Sequence, residues 1–412
     1  MEALLPGPER EPMNALQSDI PSHIPPQLVH DIDIYDLSAV DEDVHLAWKR
    51  LQDFGEIIWT PRNGGHWIVT NGALTYELFK DHERLSSKEI SVPRGTNLYP
   101  IIPTQSDEPE HSAYRQIIQP AFMPREVQRY SEEARKLAVE LIEEFKPIGE
   151  CEFISDSALK LPLIIFLRIV DLPLEDRETL HGYTEVMTRE SDPQVRVAAY
   201  QNTVDYLKYW IGKRRAEPGD DLLSQAVNCT VLGRPATEDE VLGLGANMLF
   251  GGLDTVASMM GFIMRFLAGH PEHRRWILEH PDKMRHAVEE LLRRHGVANI
   301  ARVAKYDIEI GGATVKEDEI VYLITCQHGL DDRVCPNPLE VDFNRPTPFH
   351  GTFGNGIHRC PGSNLARNEI RVMLEEWLPR IPDFRIKRSD KAVAQSGPVN
   401  GVLYLPLQWD VS

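Results

Sequence analysis

The sequence has few cysteines and none of the arrangements that bind structural zinc or build a disulfide framework. Its five cysteines are an odd number, lie far apart and include no C-x-x-C pair. Four of them, Cys151, Cys229, Cys326 and Cys335, have ordinary neighbours and are interpreted as small buried hydrophobic residues. Only Cys360 therefore needs another explanation.

Basic charge and long apolar runs are also scarce. The 412 residues include 44 lysines and arginines against 63 aspartates and glutamates, a formal net charge of −19 that argues against binding to nucleic acids or anionic membranes. No stretch approaches the ~20 consecutive apolar residues of a membrane span. The opening stretch, MEALLPGPEREPMN, lacks the basic-then-apolar pattern of a signal peptide. We expect a cytoplasmic protein that binds neither nucleic acid nor membrane.

Repeats, low-complexity segments and obvious linkers are absent too, although the length would allow two or three domains. Residues 1–35 are rich in proline and are expected to form an extended arm. From Ser131 onward most segments have apolar residues three and four apart, which predicts helices. One of these begins near Glu238, runs for about 30 residues and is apolar on nearly all sides, so it should cross the centre of the fold.

Short strand-like runs frame this helical region. IIWT and HWIVT flank a glycine turn and predict a hairpin, and YDIEIGG, VYLIT and VLYLPLQW follow near the C-terminus. We therefore expect a mainly α protein with a minor β part, an α+β fold in which residues 36–412 form one large domain after the arm.

The stretch FGNGIHRCPG places Cys360 among glycines and just before a helical pattern. Gly354 and Gly356 allow a tight turn, and Pro361 suits the first turn of a helix. Unpaired amides at that helix N-terminus would favour the thiolate form of Cys360.

Three explanations for the cysteine stay open from this stretch alone. A nucleophile would need a base, and His358 lies two residues away in a loop of unknown geometry. A metal ligand that supplies one sulfur does not fit tetrahedral zinc but fits haem, whose flat ring the glycines would allow to approach the backbone. The third explanation is an ordinary glycine-rich turn with an incidental cysteine, because short motifs also occur by chance.

A polar pair interrupts the apolar central helix. Asp254 and Thr255 follow Gly251 and Gly252, and an acid and a hydroxyl are costly to bury there without a partner or a function. The alternative is structural: Asp254 would meet a buried cation, and Thr255 would bond back to a helix carbonyl.

The cysteine stretch, continued by Leu-Ala-Arg, resembles the haem-ligand loop of the cytochromes P450 at every fixed position. The resemblance implies haem b as the cofactor. The contacts that it assigns to the loop are Cys360 as the axial iron ligand, Phe353 packed beside it, Gly354 and Gly362 close to the porphyrin, and His358 on a propionate. Pro361 has no amide hydrogen, so one possible N–H to sulfur bond is missing, and we expect a lower iron potential than in relatives with leucine there.

The helix motif Gly251-Gly252-Leu253-Asp254-Thr255 is similar to the oxygen-binding segment of the same family. In the family the glycines open a groove for dioxygen, the threonine hydrogen-bonds the oxygen and the acid relays protons. The resemblance therefore gives Thr255 and Asp254 catalytic roles and places Gly251 and Gly252 against the cofactor.

Other charged residues match further family positions. Glu290 and Arg293 are one helix turn apart, which is typical of a weak surface ion pair. In the family this pair is buried and joined by a later arginine, for which Arg345 is the candidate although its neighbours differ from the usual pattern. The positions assigned to the haem propionates, which would otherwise be exposed basic residues, are His111, Arg115 and Arg302.

Similarity to the bacterial camphor hydroxylase group extends over nearly the whole chain, through stretches such as NGGHWIVT, YPIIPTQSDEPE and SGPVNGVLYLPLQWD. It implies a monomeric monooxygenase that hydroxylates an unactivated C–H bond with dioxygen. Electrons would come from an NADH-dependent reductase through a separate [2Fe-2S] ferredoxin, because the 52 residues after Cys360 are too few for a fused redox domain. An acidic ferredoxin would need a local basic patch, for which Arg115, Arg359 and Arg367 are candidates.

The same resemblance outlines a substrate pocket. Tyr99 corresponds to the tyrosine that holds the camphor carbonyl. Asn247, one turn before the glycines, adds an amide where the group has aliphatic residues, although that amide would alternatively bond a helix carbonyl. The other pocket positions are Ile101, Thr104, Phe250, Ala298, Pro398 and Val399. These differences favour a ligand other than camphor, and we expect a small apolar terpenoid or norisoprenoid ketone.

Three other functions are weighed against this one. A peroxygenase of the same fold would replace the acid and the alcohol, which this chain keeps as Asp254 and Thr255. A haem-based sensor would carry an output module, for which neither spare length nor basic charge is visible. A cysteine hydrolase that used Cys360 and His358 would leave the other motifs without a role.

Overall fold

The computed structural model describes residues 20–37, 43–95, 100–190 and 192–411, and helices dominate this part of the chain. Short 3-10 turns join many of them. The helices are α1 (Val44–Arg50), α2 (Gly72–Leu78), α3 (Glu110–Ile118), α4 (Pro124–Phe145), α5 (Lys160–Ile169), α6 (Arg177–Arg189), α7 (Pro193–Ala216), α8 (Leu222–Val227), α9 (Glu238–Leu253), α10 (Thr255–Gly269), α11 (Pro271–Glu279), α12 (Met284–Arg294) and α13 (Ser363–Arg380).

The strands are short and form small sheets at the side of the helices. They are β1 (Ile57–Thr60), β2 (His66–Val69), β3 (Leu85–Ser86), β4 (Glu150–Glu152), β5 (Thr230–Val231), β6 (Arg234–Pro235), β7 (Asn299–Ala304), β8 (Ile308–Ile310), β9 (Ala313–Val315), β10 (Ile320–Ile324), β11 (Phe384–Ile386), β12 (Val393–Gln395), β13 (Gly401–Tyr404) and β14 (Pro406–Trp409). The largest sheet has the order β1-β2-β10-β7-β3, and a second has the order β11-β14-β4. The mainly α fold with a minor β part is confirmed.

The predicted hairpin is present as β1 and β2, which pair antiparallel with Ile57 opposite Val69 and Thr60 opposite His66. Strand β10 then pairs parallel with β2 and antiparallel with β7. Strand β7 contains Ala301 and Arg302 and pairs antiparallel with β3. The sheet therefore brings Arg302 close to the residues that follow Ser86.

The central apolar segment is two helices rather than the single helix that its periodicity predicts. α9 ends at Leu253 and α10 begins at Thr255, because Asp254 has φ −128° and ψ −36° and leaves the helical conformation. Thr237 begins the segment with a capping box to Glu240.

The same segment is the long apolar stretch that the sequence places at the centre of the fold. Glu238–Gly269, 32 residues, is long and apolar enough to cross a membrane by length and composition, and 71% of its most apolar window is buried inside the protein. This burial is typical of a core helix.

The described part of the predicted arm is packed on the large sheet. Ile24 and Ile34 are buried in the core, and Val29 forms a parallel bridge with Trp59 on β1. Residues 1–19 of the arm lie outside the described residues. The division into an arm (1–35) and a domain (36–412) stays a prediction.

Helix α13 fixes the position of the cysteine loop that precedes it. It packs along α4 and contacts α10, α11 and α12. Its Trp377 is fully buried between the rings of Phe145, Phe153 and Phe384, at centroid distances of 5.3 to 5.7 Å. The C-terminal part of α13 is thus anchored in the core by aromatic packing.

Candidate functional site

The cysteine loop turns tightly and then enters α13. Gly354 and Gly356 have φ of 69° and 68°, a region that favours glycine, and a Cβ at Gly356 would lie 2.8 Å from the Lys80 Cα. The Cys360 backbone N–H donates to the Phe353 carbonyl at 2.9 Å and closes the turn. Helix α13 begins at Ser363, so Pro361 precedes the helix instead of occupying its first turn.

The Cys360 side chain is exposed. Desolvation by the surrounding protein nevertheless raises the pKa of its thiol, against the opposing effects of the Gly362 backbone N–H and of the charges of Arg115, Arg367 and Arg359. The Gly362 amide at the start of the helix thus favours the thiolate as expected, although desolvation acts in the opposite direction and is the larger effect for the free cysteine. An accessible sulfur beside guanidinium groups is nonetheless suited to an electron-accepting partner.

His111, Arg115, Arg302 and His358, which we call the basic cluster, come together next to this loop. The His111 and His358 rings are 4.1 Å apart between centroids. Arg115 donates from Nη2 to the Arg359 carbonyl at 2.6 Å. Arg302, on β7, is buried and donates from Nη1 to the Ala301 carbonyl at 2.8 Å.

Burial lowers the pKa of every member of the basic cluster. Desolvation lowers the pKa of His358 to about 2 and that of Arg302 to about 10, and the Arg302 charge further lowers the pKa of His358. Desolvation also lowers the pKa of His111 and of Arg115. Both His111 ring nitrogens lack a hydrogen-bond partner among the described residues, and the Glu108 carboxylate is 3.5 Å from Nδ1. The cluster thus combines two arginines with two histidines that desolvation keeps largely neutral, and Arg302 and His111 are its buried members.

Contacts on the other side of the loop were not predicted from the sequence. The Arg367 guanidinium lies 4.5 Å from the centroid of the Phe353 ring and donates from Nη2 to Glu289 at 3.0 Å. His350 also contacts the Glu289 carboxylate, at 3.1 Å. Glu289 precedes Glu290 in the sequence, and no local signal distinguishes it, because its partner Arg367 is 78 residues away. Ser87, which bonds His358 Nε2 at 3.0 Å, was missed for the same reason.

The junction between α9 and α10 carries the residues of the predicted oxygen-binding segment. Gly251 is exposed, and a Cβ there would meet nothing within 4 Å. A Cβ at Gly252 would lie 2.3 Å from the Phe166 ring, so this glycine is needed for packing. Asp254 is buried, and half-buried Thr255 donates from Oγ1 to the Gly251 carbonyl at 3.4 Å. The bond from Thr255 back to a helix carbonyl, which was the structural alternative, is thus present but long.

Glu290, Arg293 and Arg345 are brought together in the core rather than on the surface. Arg293 donates from Nε and Nη2 to the two Glu290 oxygens, both at 2.8 Å, and both side chains are fully buried. Arg345 adds a bond from Nε to Glu290 at 3.3 Å. The interpretation as a surface ion pair is therefore wrong. The remaining Arg293 donors bond backbone carbonyls of the segment that leads to the cysteine loop, those of Gly329, Pro338 and Glu340.

The predicted pocket residues fall into two groups, and Tyr99 lies outside the described residues. Thr104 donates from Oγ1 to Asn247 Oδ1 at 2.6 Å, near buried Ile101, and Phe250 stacks on Tyr200 at 5.7 Å. The second group consists of Ala298 and Val399, which form a β-bridge, with the Pro398 carbonyl bonded to the Asn299 N–H at 2.8 Å. The alternative in which Asn247 bonds a helix carbonyl is not seen among the described residues.

Known proteins share this sequence and this fold. A sequence model of the family Cytochrome P450 matches residues 278–391. The chain is 32% identical to probable cytochrome P450 127A1 of Sinorhizobium fredii, over 95% of this chain and 97% of that protein. The chain belongs to the cytochrome P450 family. Crystal structures of two cytochromes P450, CYP101C1 and CYP101J2, are 39% and 35% identical to it, each with a TM-score of 0.86 over 95% of this chain and 100% of theirs. The resemblance to bacterial cytochromes P450 is confirmed.

Cytochromes P450 are haem monooxygenases that carry haem b, and the residues of this site fit that group. Cys360 offers an accessible sulfur, as a single axial ligand must. Arg302 is a buried cation that a carboxylate would neutralise. His111 is a buried ring with no hydrogen-bond partner at either nitrogen among the described residues, and it is able to donate to the same group. The exposed face at Gly251 leaves room for a flat ring.

Proposed function

We propose that this cytochrome P450 hydroxylates an unactivated C–H bond of a small apolar terpenoid or norisoprenoid ketone in the cytoplasm. Electrons would reach it from a separate [2Fe-2S] ferredoxin and an NADH-dependent reductase. The observation that carries the proposal is the accessible Cys360 sulfur beside a buried basic cluster. A cysteine hydrolase is not favoured, because burial lowers the pKa of His358 to about 2 and the His358 Nε2 atom bonds Ser87 at 3.0 Å.

Cys360 would hold the haem iron, and the residues around the sulfur would adjust its charge. When bound, haem supplies the iron that activates dioxygen for insertion into a C–H bond. The Gly362 N–H and the charges of Arg115, Arg359 and Arg367 all stabilise negative charge on the sulfur. Pro361 contributes no such donor.

The basic cluster would hold the two haem propionates. A carboxylate placed beside Arg302 and His111 would add negative charge to that which the Asp107 and Glu108 carboxylates already supply, and would give the His111 ring a hydrogen-bond partner. Arg115 bonds the Arg359 carbonyl and contributes charge to both the cluster and Cys360. This arrangement would fix the orientation of the ring through charge-assisted hydrogen bonds.

Thr255 and Asp254 would hold and transfer protons at the junction of α9 and α10. The 3.4 Å bond from Thr255 Oγ1 to the Gly251 carbonyl is long, so the hydroxyl is able to turn towards a new acceptor at little cost. Asp254 is buried in the non-helical link directly before Thr255. A carboxyl next to a hydroxyl at a break in a helix is suited to passing a proton inward.

Electron delivery would use the surface next to the cysteine loop. Arg359 is exposed there and carries a positive charge close to Cys360. The chain has a net charge of −19, so an acidic ferredoxin would be repelled from most of the surface and would approach most easily at such a local positive region. Arg115 and Arg367 would extend this region, although both already bond neighbouring groups.

The test is the carbon monoxide difference spectrum of the reduced, haem-loaded protein. We expect the strongly red-shifted Soret band of thiolate-ligated haem in the wild type and its loss in Cys360→Ser. Cys229→Ala, which changes a cysteine outside the loop, serves as the matched control and should retain the band. A wild-type band at the position of histidine-ligated haem would contradict the proposal. NADH consumption with a ferredoxin and reductase would then test the electron donor.

A further inference from the structure

The segment 100–105 is fastened to helix α9 by two contacts of different kinds. The Ile102 N–H donates to the Gly243 carbonyl at 3.1 Å, and Thr104 Oγ1 donates to Asn247 Oδ1 at 2.6 Å. Gly243 allows this approach, because a Cβ there would lie 2.5 Å from the Pro100 carbonyl. The loop therefore rests directly on the helix, with the Ile102 side chain against Gly243 and the Thr104–Asn247 bond as a side-chain hydrogen bond.

Asn247 shares a helix face with two glycines, one in contact with the loop and one bordering open space. Positions 243, 247 and 251 are four apart and so lie on one face of α9. On the opposite face, Gly245 and Gly252 pack against Leu207 and Phe166. A Cβ at Gly251, one turn after Asn247, would meet nothing within 4 Å. The half-buried Asn247 amide thus lies between the loop contact at Gly243 and the opening at Gly251.

Of the two polar groups in the Asn247 side chain, only the carbonyl oxygen has a hydrogen-bond partner among the described residues. Its carbonyl oxygen accepts from Thr104, and its Nδ2 group donates to no acceptor among the described residues. In this orientation the Thr104 hydroxyl uses the amide oxygen, and the N–H donors are left for another molecule. Among the described pocket positions, Ile101, Phe250 and Val399 are apolar, and their side chains offer no competing acceptor.

We propose that Asn247 selects substrates with a carbonyl oxygen by donating a hydrogen bond from Nδ2 to it, and that Thr104 positions the amide for this bond. The inference rests on the proposed function and narrows its substrate class. Asn247 is then the specificity residue and Thr104 a positioning residue. A hydrocarbon of the same shape would leave the amide donors without a partner, which a buried polar group tolerates poorly.

The experiment compares ketones with matching hydrocarbons in the haem-loaded protein. Camphor is paired with bornane, and β-ionone with its deoxygenated analogue, and each is titrated into the ferric protein with the spin-state change as the measure of binding. The variants are Asn247→Leu, which removes the donor at similar size, and Thr104→Val, which removes the hydroxyl at equal shape. Thr104→Ser, which keeps the hydroxyl, is the control.

The readout is the ratio of ketone affinity to hydrocarbon affinity. We expect Asn247→Leu to lower this ratio by about tenfold, as the loss of one hydrogen bond to a buried group does. Thr104→Val should lower it several-fold and Thr104→Ser should leave it near the wild-type value. A purely structural role would weaken ketone and hydrocarbon binding equally and leave the ratio unchanged, which would overturn the inference.

The same samples distinguish failure of the ketone specificity from failure of the proposed function. A wild-type thiolate band without a spin-state change for either ketone would overturn the ketone specificity while the haem-thiolate assignment stands. Absence of the thiolate band would contradict the proposed function itself and remove the inference with it.

Discussion

At the scale of single residues, the buried arginines Arg293 and Arg302 differ in how fully the protein pairs their guanidinium groups. Arg293 has its donors matched by the Glu290 carboxylate and by backbone carbonyls. Arg302 is as deeply enclosed, yet among the described residues it has one hydrogen bond, to the Ala301 carbonyl. The Asp107 carboxylate acts on Arg302 only through its charge, and since a buried charge with few hydrogen bonds is unfavourable, Arg302 is the arginine that benefits from a bound anion.

Thr255 gives a prediction at this scale. We expect Thr255→Ala to keep consuming oxygen and NADH. A large share of the oxygen should be released as hydrogen peroxide, because the hydroxyl that directs proton transfer is gone. The measurement is peroxide formed per NADH oxidised. Thr255→Ser, which keeps the hydroxyl, is the control and should stay coupled. Full coupling in the alanine variant would show that Thr255 has only the structural bond to the Gly251 carbonyl.

Sequence patterns predicted individual residues better than the contacts between them. The motifs around Cys360 and Thr255 are local, so their spacing was sufficient to select them. The Thr104–Asn247 bond joins positions 143 residues apart, and the Arg367–Glu289 pair joins positions 78 residues apart. Such contacts depend on how helices and loops pack, which no single stretch of sequence encodes.

At the scale of elements, the break between α9 and α10 is the feature that periodicity did not predict. Apolar residues continue with helical spacing on both sides of Asp254, so the pattern indicates one helix. The structure separates them because Asp254 adopts φ −128° and ψ −36°. Two adjacent glycines before the break have opposite surroundings, with Gly252 against Phe166 and Gly251 facing open space.

The two glycines form a matched pair for a stability test. Gly252→Ala should destabilise the protein by about 1–3 kcal/mol, because its Cβ would overlap the Phe166 ring and force repacking. Gly251→Ala should leave stability unchanged or raise it by up to ~1 kcal/mol, since alanine is the better helix former and meets no atom there. Thermal unfolding of both variants is the measurement, and equal destabilisation would contradict the packing described here.

At the scale of the whole molecule, several buried histidines are kept neutral by the fold. Desolvation lowers the pKa of His45 and His295, and it lowers the pKa of His66 to about 3. Their unfolded counterparts titrate near 6.5, so the unfolded chain binds protons first as the pH falls. The histidines therefore favour the folded state fully above pH ~6.5 and lose this contribution progressively below it.

The free energy of unfolding should accordingly fall by up to ~1.4 kcal/mol per pH unit for each of these histidines below pH ~6.5. Replacing one of them with a residue that does not titrate, as in His66→Gln, should reduce that slope. Tyr322→Phe, which alters a neighbour of His66 without removing a titrating histidine, is the control and should keep the wild-type slope. The measurement is urea unfolding of the haem-loaded wild type and the two variants between pH 7 and pH 5. Identical slopes in all three proteins would show that His66 does not contribute to the pH dependence of stability.

The interrupted central segment also changes where electrical polarity lies within the protein. A single helix of 32 residues would extend about 48 Å and would carry its partial charges only at its two ends. The break at Asp254 adds one partial negative end, from α9, and one partial positive end, from α10, at the middle of the fold. A largely apolar segment thereby gains a local electric field beside Thr255.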